Sequence, residues 1–128
     1  MVVDSSALVA IVLLEATAVG HLAKLSTASS LNLSTVSLVE TSTVLLSRGG
    51  QRKVETLDAL LTDFGFEIIS VDPPQAYLAR QAFDRYGKGR DKAGLNLGDC
   101  FSYALAKYYD ESLLFQGSDF SLTDVAVA

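Results

Sequence analysis

At 128 residues, with 49% hydrophobic side chains, the chain is long enough for one buried core and too apolar to stay disordered. Its net charge of −5 speaks against a general nucleic-acid binder, although half of the 10 Lys and Arg residues crowd into RQAFDRYGKGRDK at 80–92. The only cysteine, Cys100, and the only histidine, His21, exclude an internal disulfide and nearly exclude a zinc site or a Cys/His nucleophile, and a reducing cytoplasm is the expected home.

VVD at 2–4 predicts a short buried strand that stops at Asp4, with Ser5 or Ser6 capping a helix over 6–14. A second helical stretch follows over 15–25, after a break near Ala16 and Thr17. LNLS at 31–34 predicts a strand; Ser34 or Thr35 then caps a helix over 36–48, stopped by Gly49 and Gly50. Val54, Leu57, Leu60, Leu61 and Phe64 recur at helical spacing and predict a helix over 51–64, with Gly65 as its stop. FEIISV at 66–71 is the clearest strand, bounded by Gly65 and by Asp72-Pro73-Pro74. A helix over 73–86 tolerates proline in its first turn, and GKGRDKAGLNLG at 87–98 is a loop by its glycines and charges. A helix over 98–109, a strand at 112–116 and a short last strand at 123–127 complete the chain.

Strands alternating with helices predict an α/β sandwich of three layers, a mostly parallel central sheet flanked by helices, in one domain spanning 1–128. The helix over 6–14 is apolar nearly all round, which places it in the core or under a partner. No apolar run reaches the roughly 20 residues of a membrane span. Nor does the opening MVVDSSALVAIV resemble an export signal, since it has no basic leader and an acid at position 4.

In parallel α/β sheets, ligands collect beyond the carboxyl ends of the strands. Asp4 ends the first strand and Asp119 follows the strand LLFQ. Glu40 shares a helix face with Val36 and Val44, where a lone carboxylate bears a desolvation cost unless it is paired, to an arginine or otherwise. Asp99 opens the helix over 98–109, where an acid also serves as a cap. If these four converge, each pair at ~5 Å and an effective dielectric of ~20 repels by roughly 3 kcal/mol. Oxygen ligands select hard ions, so Mg²⁺ or Mn²⁺ is the expected occupant, suited to phosphodiester hydrolysis without a Ser, Cys or His nucleophile. Asp110 and Asp124 read as solvated turn residues.

MVVDSSALVAIV, the Glu of VSLVETSTVL, the run YGKGRDKAGLNLGDCFSYALAK and the ending LLFQGSDFSLTDVA resemble a PIN-domain ribonuclease of the VapC toxin type, over nearly the whole chain and in order. The resemblance implies a PIN-like, Rossmann-like fold, and a catalytic and metal-binding set of Asp4, Glu40, Asp99 and Asp119 for Mg²⁺ or Mn²⁺. It further implies an RNA substrate, a small VapB-like antitoxin seated near the first two helices, and a toxin homodimer. The position before the fourth acid is Ser118, where similar chains often carry an acid or Asn. The second ion is then held loosely, or Asp119 stands behind the direct ligands. Ser6 matches a hydroxyl that supports the first aspartate, and Asn96 either reaches the site or buttresses its loop. Glu40 or Asp99 is the candidate general base.

Arg80, Arg85, Lys88, Arg90 and Lys92 run toward Asp99, where RNA backbone can lie; a solvated helix face is the plain alternative. A phospho-acceptor receiver domain wants adjacent acids after the first strand and a late lysine, which DSS and QGSD do not supply. No GxGxxG follows the first strand, against a dinucleotide fold. A PIN-like scaffold that binds RNA or protein without cutting remains the rival reading, kept open by Ser118.

Overall fold

The computed structural model describes residues 1–128. Four short strands, Val2–Val3 (β1), Asn32–Ser34 (β2), Glu67–Ile69 (β3) and Leu113–Leu114 (β4), form one sheet in the order β3-β2-β1-β4. Every pairing is parallel, with Val2 opposite both Asn32 and Leu113, and Leu33 opposite Ile68. Parallel neighbours need crossovers. These are supplied by Ser5–Val12 (α1), Ala18–Thr27 (α2), Thr35–Gly49 (α3), Gln51–Asp63 (α4), Pro73–Tyr86 (α5) and Leu97–Tyr109 (α6). The layered α/β architecture expected from the alternation is present.

Each face of the sheet carries its own core. Val3, Leu33 and Leu114 point among side chains of α1 to α4, including Leu8, Leu45 and Leu57. Val2 and Leu113 point the other way, onto α5 and α6 with Ala82, Tyr103 and Leu105. Adjacent residues of β1 and β4 thus serve opposite cores, as the period of two along a strand requires. Seven of the eight α1 residues are buried, and this chain's own α2, α3 and α4 cover them.

Several boundaries differ from expectation for identifiable reasons. α1 ends at Val12 because Leu14 turns left-handed at φ 56°, with Glu15 N–H donating to Ala10 O and Leu14 N–H to Ile11 O. That is the Schellman pattern, here with leucine where glycine is usual. Neither Ser5 nor Ser6 caps α1; Asp4 does, accepting from the Ser6 amide at 2.9 Å. Ser34 caps α3 as expected. The expected strand at 123–127 is not formed. A 3-10 helix, Asp119–Leu122, precedes it, and only the bridge between Leu113 and Val127 remains. Thr123 Oγ accepts from the Val125 amide and donates to Phe120 O, local bonds that compete with a ladder.

Candidate active site

β1 delivers Asp4 to the carboxyl edge of the sheet, and Asp4 is 1% exposed. Its burial is tolerated because both oxygens accept hydrogen bonds: Oδ2 from the Ser6 hydroxyl at 2.6 Å and amide, Oδ1 from the Ser102 hydroxyl at 2.6 Å. Ser102 lies on α6 and is bonded at 3.0 Å to Ser37 of α3, so three elements aim one carboxylate. Ser6 Oγ in turn accepts from the Gln116 amide at 3.0 Å, just past β4. The Gln116 side chain is held at 2.9 Å by His21, which is buried.

Glu40 leaves α3 toward the same edge. Its Oε1 accepts from the Ser5 hydroxyl, and no arginine pairs with it. Gly98, at the start of α6, passes directly beneath the Glu40 carboxylate; a Cβ there would overlap Oε2. Asp99 is not the cap of α6 but the reciprocal partner of the cap. Asn96 Oδ1 accepts from the Asp99 amide at 2.8 Å, and Asp99 Oδ2 accepts from the Asn96 amide at 3.0 Å. This capping box turns Asp99 inward while leaving Oδ1 without a protein donor. Asn96 therefore buttresses the loop.

The electrostatics match a cluster of acids. Burial raises the Asp99 carboxyl to about 7 despite the opposing Asn96 bond, and Asp4, Glu40 and Asp119 each push it further the same way. Burial likewise raises Glu40, opposed by Ser5 and aided by Asp4. Asp119 opens the 3-10 helix, is exposed, and is the least of the influences on Asp99. A cavity of about 360 Å³ lies among Asp4, Ser6, Glu40, Asn96, Asp99 and Gln116, with Glu15, Val44 and Arg48 also in its wall. A larger apolar groove of about 660 Å³, walled by Val36, Val39 and Leu97, opens beside it and shares Glu40 and Asn96.

None of the five ion pairs in the protein involves Asp4, Glu40, Asp99 or Asp119. The donor set is all oxygen and short of positive charge, which fits a hard divalent cation. As the side chains stand, no three acids form a ready-made metal cage. Their oxygens are turned toward Ser5, Ser6, Ser102 and Asn96 instead.

The basic residues singled out at 80–92 do not enter this cavity. Arg80 lies over the Tyr77 ring, Arg85 pairs with Asp124 at 3.6 Å, and Arg90 pairs with Asp84 at 2.6 Å. Lys88 and Lys92 are exposed on the loop before Asn96. Asp124 is not a free turn residue: Tyr103 donates to it at 2.5 Å and Lys107 at 3.3 Å. Sequence reasoning missed Ser5, Ser37, Ser102 and Gly98. Ser102 carried a signal, being the one small polar side chain within the largely apolar run FSYALA.

A family model described as the PIN domain matches residues 1–126. Ribonuclease VapC of Mycolicibacterium smegmatis is 48% identical over 126 residues, covering 98% of both chains. Ribonuclease VapC30 of Mycobacterium tuberculosis is 44% identical over 98% of this chain and 96% of its own. Among solved structures, VapC20 of Mycobacterium tuberculosis, a toxin described as cleaving the sarcin-ricin loop, superposes with a TM-score of 0.81 at 19% identity, covering 99% of this chain and 97% of that one. A toxin–antitoxin complex from Klebsiella pneumoniae gives 0.74 at 17% identity, covering 99% and 95%. At those identities the two structures speak to the fold, while the two sequence relatives reach further. The chain belongs to the PIN-domain family and, within it, to the VapC ribonucleases.

Proposed function

We propose that this protein is the endoribonuclease toxin of a toxin–antitoxin pair, and that it cuts RNA phosphodiester bonds with the help of Mg²⁺ or Mn²⁺. The observation that carries the reading is Asp99: a half-buried carboxylate raised to about 7 by burial and by three neighbouring acids, none of the four being ion-paired. A protein gains nothing in stability from such an arrangement, whereas a divalent ion relieves it.

Asp4, Glu40 and Asp99 would hold the ion, with Asp119 at the rim. When bound, the ion lowers the pKa of a water and neutralises charge on the phosphate. The chain's own part is orientation. Ser6 and Ser102 fix Asp4, Ser5 fixes Glu40, and Asn96 fixes Asp99. Glu40 Oε2 and Asp99 Oδ1 have no protein donor and are the atoms free to meet an ion or to accept a proton. An antitoxin protein and a second copy of the chain are the partners that membership of this family supports.

Cleavage of single-stranded RNA, followed with Mg²⁺ or Mn²⁺ and then with EDTA, tests the reading. Wild type should cut only with the ion, and Asp99→Asn and Asp4→Asn should not cut. Metal-independent cleavage that survives both substitutions would remove the proposal; RNA binding without cleavage would favour the scaffold reading.

A further inference from the structure

The cavity that gathers the carboxylates has one basic side chain in its wall, Arg48. It stands on α3 two turns past Glu40, about 12 Å along the axis. Helix side chains lean toward the N-terminus of their helix, which carries this guanidinium back toward Val44 and Glu40. Its one charged partner is Glu15, at 3.9 Å, the outer limit of an ion pair, and the two side chains are 55% and 37% exposed. The guanidinium makes no hydrogen bond to the protein. Arg80, Arg85 and Arg90, by contrast, are spent on Tyr77, Asp124 and Asp84 away from the cavity. Glu15 is held where it is by the left-handed turn at Leu14 that ends α1.

We infer that Arg48 is a positioning residue for RNA: its guanidinium takes the backbone phosphate that flanks the bond to be cut, exchanging Glu15 for that phosphate. The inference rests on the nuclease reading above. A polyanion entering a cavity of acids is repelled along its whole length, and an ion at Asp4, Glu40 and Asp99 relieves only the scissile phosphate. A neighbouring phosphate needs its own cation. Arginine is suited to that place, since it stays charged and offers a planar pair of donors to two phosphate oxygens. Glu15 keeps the guanidinium at the cavity wall when no RNA is present, through a bond weak enough to be exchanged.

The test reads cleavage and binding separately. Single-stranded RNA is cut in Mn²⁺ by wild type, Arg48→Ala, Arg48→Lys, Glu15→Gln and the double variant Arg48→Ala/Glu15→Gln. Binding of the same labelled RNA is followed by fluorescence anisotropy across a salt series in an Asp99→Asn background. Arg48→Ala should raise KM about tenfold or more, with a smaller change in kcat. Its plot of log affinity against log salt should be shallower by about 0.7. Arg48→Lys should keep the slope and recover part of the KM. Glu15→Gln should lower KM, and that gain should shrink when Arg48 is already alanine. A merely structural bridge predicts the reverse: both single variants lower Tm, Glu15→Gln impairs cleavage, and the salt slope does not change. That pattern overturns the inference. Should Arg48→Ala fail to fold, Arg48→Lys and Glu15→Gln decide by the same signs. Unchanged KM and slope in Arg48→Ala, with wild type cutting normally, overturn the Arg48 assignment alone. RNA binding without cleavage removes the nuclease reading and leaves the slope to judge the phosphate contact.

Discussion

Asp99 lies in the first turn of α6, Asp124 packs against the middle and later turns of the same helix, and their environments push the two carboxyls in opposite directions. Asp124 accepts from the Tyr103 hydroxyl and lies beside Lys107 and Arg85, and these hold its carboxyl below the usual value against a modest burial penalty. Asp99 is more deeply placed, has one backbone donor, and faces three other acids, so its carboxyl rises to about 7. The compensated acid clips the C-terminal segment onto α6. The uncompensated one has no cation paired with it, and a carboxyl shifted in that way beside other acids marks a candidate functional site.

The sharpest way to break this comparison is to remove each carboxylate in turn. Asp99→Asn should lower metal-dependent RNA cleavage by roughly a hundredfold or more, while Asp124→Asn should leave turnover near wild type. Similar losses in both would mean the contrast has no functional content. Gly98→Ala comes next. Its methyl group displaces the Glu40 carboxylate, the movable end of a side chain, so cleavage should drop about tenfold or more with little change in Tm. An unimpaired Gly98→Ala enzyme would show that Glu40 is not needed where it stands.

Metal-free stability against pH should separate the two aspartates by sign. Folded Asp99 keeps its proton up to about 7, whereas the unfolded chain releases it near 3.8. Between those values the native state binds more protons, so this group's contribution to stability falls as pH rises and levels off above about 7. Asp124 behaves oppositely: its contribution is present above 3.8 and is lost as pH falls through its lowered folded value. Asp99→Asn should therefore gain Tm over wild type as pH rises through that window, and saturating Mg²⁺ should narrow the gap. A gap independent of pH would contradict the raised Asp99.

Ser102→Ala removes a buried donor from Asp4 and should cost about 1–3 kcal/mol by denaturant unfolding. Asp124→Asn, at 42% exposure, should cost about 1 kcal/mol or less.

The elements were legible in the sequence because they rest on local rules. Glycine stops at Gly49, Gly50 and Gly65, the proline start at Pro73 and the helical spacing of Leu57 and Leu61 act within a few residues. The chain alone also pointed to Asp4, Glu40 and Asp99 as acids in places that call for explanation. It misjudged the expected strand at 123–127, where Thr123 ties the backbone into a turn, and it left open whether the basic run at 80–92 faces the acids or solvent. Which cation faces which acid depends on how α5 and α6 pack, and no spacing encodes that. Two of the three hydroxyls that aim the acids come from residues 35 and 98 positions away in the chain. Only the assembled sheet brings Ser5 to Glu40, Ser102 to Asp4 and Arg48 to the cavity wall, because hydrogen bonds and charge repulsion act over a few ångströms of space and take no account of distance along the chain.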